Sequence, residues 1–352
     1  MKLIHTADVH LGLCPDPGYP WSRTRASEIW DTFRMLLTVC REQKTDLLLI
    51  SGNLFDRQPS LEDLQRVEEI LNLAPQTEVV MTAGSADYLT PGCPYADFPW
   101  PDHVHLFRTP ELTSIYLERL DVTVHGMSYD APTREDRIFE SAFPDDEGEI
   151  QILAGYGGEP HQAPFAPAQL EEACFDYAAL GGRKTFASLP GNLYYPGALE
   201  PLGLGDTGPH GYIAGEIRDG SGSFRFVPFS VRTYENLKIM LSGDLSQKEL
   251  EEKLRALIRR RGPQNIYRIR LEGRHRPTEP IDTAPLEVLG NIVSVEDRTV
   301  PDYDLRRLAD AHKDDVVGMY MAEFARQKPD AESRRAFYAG LDALLRDGRK
   351  KM

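Results

Sequence analysis

The sequence predicts a layered α/β domain followed by a smaller mixed unit and a helical C-terminal segment. Three observations lead there. Short apolar runs alternate with helical patterns over the first ninety residues, which is how a layered α/β sheet is written. Strand-like runs then dominate up to Arg232. Beyond it, a strand, a capped helix and two more strands precede a stretch of helical spacing.

The elements follow in order. "KLIHTAD" reads as a strand, and "RASEIWDTFRMLLTVCREQ" places Ile29, Phe33, Leu36, Leu37 and Cys40 at helical spacing. "DLLLIS" is a buried strand. In "SLEDLQRVEEIL", Ser60 and Asp63 stand as helix N-cap and its partner three positions on. "EVVMTAG" is another strand. After Pro91 come "VHLF", "SIYLERLDVTVHGM", "EIQILAGYG" and "DYAALGG", then a hairpin of "YIAGEI" and "FRFVPF" joined at "RDGSGS". The expected boundaries are 1–232, 233–303 and 304–352. In the second part "LKIML", "IYRIRLEG" and "NIVSVED" are strands. Ser246 and Glu249 form a capping box for a helix with Leu250, Leu254, Leu257 and Ile258 inward.

Composition excludes some classes. The apolar runs are strand-sized, too short to span a bilayer, and the N-terminus has no signal-peptide pattern. Cys14, Cys40, Cys93 and Cys174 are far apart with no C-x-x-C pair, as expected of reduced thiols in a cytoplasmic protein. A net charge of −15 argues against a protein that coats nucleic acid. One segment runs the other way. Between Ser246 and Arg276 ten Lys and Arg face four Glu, a local charge of +6. Arg255, Arg259, Arg260, Arg261, Arg268 and Arg270 are its candidates for phosphate contact.

Chemistry-bearing residues fall where strands end. Asp8 and His10 follow the first strand. "SGNLFD", "TAGSAD", "LAGYGG" and "ALGGRK" follow later ones, so all reach one sheet edge. In this order the motifs resemble those of the calcineurin-like metallophosphoesterases: D-x-H, G-D, G-N-H-D/E, H and G-H-x-H. "HTADVHLG", "GNLFD", "DYAALG", "YPGALEPLGLGDTGPHGY" and "DYDLRRLADAHKDDVVGMY" resemble the SbcD and YhaO type, nuclease subunits of DNA-repair complexes. The resemblance covers nearly the whole chain. It implies a layered β-sandwich flanked by helices, a small α+β capping domain and C-terminal helices. It also implies two metal ions about 4 Å apart that clamp a phosphodiester.

Carried over by position, the resemblance makes Asp8 and His10 first-metal ligands. Asn53 stands for the bridging aspartate, Ser85 for the asparagine ligand and Ala86 for the histidine that protonates the leaving group, while Asp87 is kept. Gly155, Gly182 and Lys184 stand for the remaining histidines. Of the eight ligand and acid positions only Asp8 and His10 keep a family residue. Uncharged Asn53 and Ser85 give a second cation little, and a lysine beside a cation repels it. The expected protein is therefore a catalytically impaired homologue with no cofactor and a vestigial site of Asp8, His10 and Asn53. Lys184 is expected to pair with Asp8 in place of an ion. The rival reading is an active phosphodiesterase or DNA exonuclease with a single Mn or Mg at those three residues. His125, His161 and His210 are weighed as replacement ligands and read as turn residues. The resemblance further implies DNA as a ligand and an SbcC-like ATPase partner. That partner would dock on the C-terminal helices, with Val317, Met319, Tyr320, Met321 and Phe324 as contacts; a homodimer and a free-standing regulatory protein stay open.

Overall fold

The computed structural model describes residues 1–145, 147–326 and 330–349. They form two compact units, Met1–Thr233 and a second beginning at Tyr234.

The first unit contains twelve strands and four α-helices among the described residues. In chain order these are β1 (Lys2–Thr6), α1 (Ser22–Gln43), β2 (Leu47–Ser51), α2 (Leu61–Leu71), β3 (Glu78–Thr82), α3 (Pro94–Asp97), β4 (Val104–Leu106), β5 (Thr113–Leu117) and β6 (Val122–Gly126). Then come β7 (Ile150–Tyr156), α4 (Pro167–Ala173), β8 (Tyr177–Gly181), β9 (Ala187–Leu189), β10 (Leu193–Tyr195), β11 (Gly211–Arg218) and β12 (Ser221–Pro228). They build two six-stranded sheets, β12-β11-β1-β2-β3-β4 and β5-β6-β7-β8-β10-β9. Period-two alternation decides which side chain goes where. Leu3, Leu47, Leu49 and Val80 of the first sheet meet Val124, Ile152, Ala154 and Ala179 of the second. The alternate residues Ile4, Leu48, Ile50 and Met81 pack outward under α1 and α2. Leu153, Ala178 and Leu180 pack on the outer side of the second sheet with Leu170 of α4. The result is a β-sandwich with helices on both sides.

Local signals explain the elements. Ser60 and Ser246 each close the expected capping box, with Asp63 and Glu249. The β11–β12 hairpin turns on Asp219 and Gly220 (φ 48° and 71°), the left-handed pair a two-residue hairpin requires. A buried network ties α1 to the segment after β10. Arg25 Nη1 lies 3.3 Å from Glu200 Oε2, and Glu200 Oε1 accepts from the Thr32 hydroxyl at 2.7 Å. Helix α4 and the short strands β9 and β10 carry no clear periodic signal in the sequence and were not expected from it.

The second unit comprises β13 (Tyr234–Leu241), α5 (Gln247–Arg261), β14 (Ile266–His275), α6 (Ala284–Glu287), β15 (Asn291–Asp297), β16 (Val300–Pro301), α7 (Leu305–Ala311), α8 (Val316–Ala325) and α9 (Ala331–Arg349). β13, β14 and β15 are parallel neighbours, and β16 pairs with β14. Leu250, Leu254 and Ile258 of α5 cover Leu237, Ile239, Tyr267, Ile269 and Leu271 on one face of this sheet; Leu257 is only partly buried there. No helix of the described residues is long and apolar enough to cross a membrane.

The packing of α5 yields a stability prediction. Leu254 is fully buried, so Leu254→Ala should destabilise the second unit by about 2–5 kcal/mol, read from urea denaturation of the full chain. A change below about 0.5 kcal/mol, the range typical of surface positions, would contradict the packing described.

Candidate functional site

The loops after β1, β2, β3, β7 and β8 converge on one edge of the sandwich. The first two are zipped together by their backbones: Asp8 N–H donates to Gly52 O (3.1 Å), His10 N–H to Asn53 O (3.0 Å) and Leu11 N–H to Leu54 O (2.8 Å). This pairing holds Asp8, His10 and Asn53 in the left-handed region, at φ 48°, 53° and 52°. Such a backbone persists only where its surroundings over-determine it. Asp87 supplies the second constraint. Fully buried, its carboxylate accepts from the N–H groups of Gly84 (2.7 Å), Phe55 (3.1 Å) and Asn53 (3.2 Å). Burial pushes its pKa up to about 6 against the pull of those donors.

At the centre is a chain of hydrogen bonds. The backbone N–H of Ala86 donates to Asn53 Oδ1 at 2.9 Å. A backbone N–H can only donate, so the amide oxygen must face it and the NH2 must face the other way. There Asn53 Nδ2 donates to Asp8 Oδ1 (3.0 Å) and to the Tyr156 hydroxyl (2.9 Å). Ser85 Oγ bonds the same hydroxyl at 3.1 Å, and Gly182 N–H donates to Asp8 Oδ2 at 2.9 Å. The Tyr156 ring rests on two glycines. A Cβ at Gly52 would stand 2.5 Å from its Cδ2, and one at Gly84 2.8 Å from it. Burial, and then the Asp8 charge, raise the phenol pKa further above its ordinary value.

His10 completes the site. Its Nδ1 pairs with Asp56 Oδ1 at 2.9 Å and its Nε2 lies 3.6 Å from Asp8 Oδ1. Burial opposes the charged ring, but the hydrogen bonds and charges of Asp56 and Asp8 outweigh it and raise the pKa from 6.5 to about 9.

These groups do not fit a divalent cation, neither the two-metal pair nor a single Mn or Mg. A cation requires lone pairs directed at it. Both Asp8 oxygens already accept hydrogen bonds, Asn53 turns its N–H groups and not its oxygen toward Asp8, and the positions of the remaining family ligands hold Ser85, Ala86 and glycine in place of an amide and imidazoles. Among the described residues no group of three or more His, Cys, Asp or Glu could hold a metal ion.

Seven of the expected positions come together: Asp8, His10, Asn53, Ser85, Ala86, Asp87 and Gly182. Two expectations are corrected. Lys184 does not pair with Asp8. Its ammonium is exposed and lies 3.8 Å from Asp206 Oδ2, because the backbone turns through Gly182 (φ 107°) before reaching it. Gly155 faces away from the site, with Phe139 2.5 Å from where its Cβ would be. The residue that enters from β7 is its neighbour Tyr156, which sequence reading missed. Ile152 and Ala154 face the other sheet, and period two extends that side to Tyr156, not Gly155. Asp56 was missed as well. His125, His161 and His210 pair elsewhere, with Gln151, Glu135 and the Ala198 carbonyl.

Residues 1–181 match the calcineurin-like phosphoesterase family. The chain belongs to that family. It is 26% identical over 251 residues to the uncharacterized metallophosphoesterase YhaO of Bacillus subtilis, covering 64% of this chain and 60% of the relative. It is 27% identical over 295 residues to the DNA double-strand break repair protein Mre11 of Methanopyrus kandleri, covering 74% and 63%. With the SbcD component of the SbcCD nuclease of Bacillus subtilis it shares 22% over 202 residues, covering 54% and 50%. The chain thus spans half to three-fifths of the length of these relatives, and is a distant relation in which this edge of the phosphoesterase fold holds no intact metal-binding cluster among the described residues.

The geometry makes the Tyr156 hydroxyl and the His10 charge measurable. Tyr156→Phe removes only the hydroxyl, leaving a buried Asn53 N–H and the Ser85 hydroxyl without it. It should cost about 1–3 kcal/mol in denaturant unfolding, whereas a purely space-filling tyrosine would tolerate the change. His10 has a folded pKa above its unfolded value, so its contribution is complete below pH 6.5 and is lost as pH rises through about 9. Stability should fall across that window by on the order of 3 kcal/mol, and His10→Gln should flatten the fall. A wild-type profile already flat between those values would refute the charged imidazole.

Proposed function

We propose that this phosphoesterase-family chain is a catalytically silent subunit that works by binding, acting on DNA together with an SbcC-like ATPase. The observation that carries the first part is the Asn53 carboxamide, turned by Ala86 so that it gives its protons to Asp8 and Tyr156. In-line attack on a phosphodiester needs an activated water and an acid for the leaving group. Here the donor groups are spent on each other, and the methyl side chain of Ala86 has no acidic proton for a leaving group.

The partner reading is supported by the C-terminal helices. Helix α8 is apolar along nearly its whole length, yet Val316 is 60% and Met319 68% exposed, unlike the usual burial of an all-apolar helix. Beside it lies a groove of about 640 Å3 lined by Leu305, Ala309, Met321, Phe324, Phe337 and Tyr338. Of the five expected contacts, Val317 is buried, and Tyr320 and Phe324 stack on Phe337. Met319 and the groove lining of Met321 and Phe324 are what a partner helix could reach. The DNA reading is supported by Arg259 and Arg260 on α5, which have no ion-pair partner among the described residues. Arg255, Arg261 and Arg270 pair with Glu251, Glu235 and Glu296.

Protein purified with Mn supplied should contain well below one Mn per chain by elemental analysis. Its action on linear DNA should stay at background and be the same in Asp8→Ala. Two metal ions per chain, or an activity abolished by Asp8→Ala, would overturn the silent-subunit reading. Met319→Glu should abolish co-purification with an SbcC-like ATPase at unchanged melting temperature; retained co-purification would move the contact off α8.

A further inference from the structure

The sheet of the second unit has one face covered by α5, while on the other Asn236, Lys238, Arg268 and Arg270 are exposed among the described residues. All-parallel sheets are almost always covered on both faces. This second face carries side chains in cross-strand rows set by the register. Asn236, Arg268 and Ser294 form one row, and Lys238, Arg270 and Glu296 the next. These six line a hollow of about 520 Å3.

The two rows differ in how their groups are spent. In the second, Lys238 pairs with Glu272 (2.5 Å) and Arg270 with Glu296 (2.9 Å), while Arg298 also reaches Glu296 (2.6 Å). In the first, no side chain of the three has a hydrogen-bond or ion-pair partner among the described residues. The backbone is irregular at that row. The β14–β15 register shifts between Tyr267 and Arg268: Tyr267 faces Ile292, but Arg268 faces Ser294. Without the extra residue Val293 would stand beside the guanidinium. A bulge of this kind re-aims a side chain, and here it sets a hydroxyl beside Arg268 in place of an isopropyl group.

We propose that this row is a binding site for the phosphoryl group of a small molecule, with Arg268 as the charged anchor and Asn236 and Ser294 as flanking hydrogen-bond partners. A guanidinium fork grips two oxygens of such a group, and the amide and hydroxyl supply donors for a third, which a planar carboxylate lacks. A single free cation with neutralised neighbours suits one compact anion. A nucleic-acid strand would call for a track of free cations and aromatic stacking platforms, and neither row contains an aromatic side chain. The hollow shares no residue with the closed site of the first unit, so either proposal can fail without the other.

The test is calorimetric titration of the full chain with pyrophosphate and with inorganic phosphate at low salt. Both should bind. Arg268→Gln should weaken pyrophosphate by about tenfold or more, and Ser294→Val should weaken it less. Arg23→Gln, at an exposed position of α1 in the first unit, should leave it unchanged. Arg268 is exposed, so circular dichroism should show every variant folded. Absence of binding by either probe, equal affinity in Arg268→Gln, or loss in Arg23→Gln alone would overturn the site. So would a glutamate-rich peptide or a single-stranded oligonucleotide binding where pyrophosphate does not.

Discussion

The carboxamide of Asn53 can turn only one way, because the Ala86 N–H requires an acceptor and the amide oxygen is the one it has. Everything at the sheet edge depends on that orientation. It aims two protons at Asp8 and the Tyr156 hydroxyl, which brings the phenol ring over Gly52 and Gly84. An aspartate at position 53 would instead set an acceptor against the Asp8 carboxylate, and like charges in a buried site are costly without a cation between them. The neutral amide removes that repulsion, and the tyrosine fills the space.

The surrounding scaffold explains why such a site stays ordered without an ion. Asp87 anchors three backbone N–H groups from two loops, and the β1 and β2 loops are cross-linked by their own hydrogen bonds. Three non-glycine residues in the left-handed region cost about 1–3 kcal/mol each, and these bonds offset that cost. Protonated His10 between Asp8 and Asp56 supplies a positive charge inside the cluster. The charge-compensating role expected of Lys184 thus belongs to a residue already in the first motif.

Much of this was legible in the sequence. Period-two and helical spacing gave the sandwich strands and the buried face of α1, and two Ser-x-x-acid boxes marked helix starts that the structure shows capped. The motif order brought seven site positions to one edge. Side-chain direction was harder. Lys184 was placed by analogy with a histidine, yet direction in a loop depends on a glycine φ and on Asp206, twenty-two residues on. Tyr156 could have been found by counting alternate residues from Ile152; motif matching stopped one residue short. The basic segment could not be divided into faces before the register was known. Arg259 lies on α5, whereas Arg268 lies on the opposite face of the sheet.

Asp8, Asn53 and Tyr156 are hydrogen-bonded to one another where the family resemblance places a cation. The most direct test is anomalous diffraction at the manganese edge from crystals grown in excess Mn. No anomalous peak is expected at this edge of the sandwich, with Asn53 Nδ2 still on Asp8 and the Tyr156 hydroxyl in place. A peak within bonding distance of Asp8, with the Asn53 oxygen turned toward it and Tyr156 displaced, would contradict the closed, metal-free site.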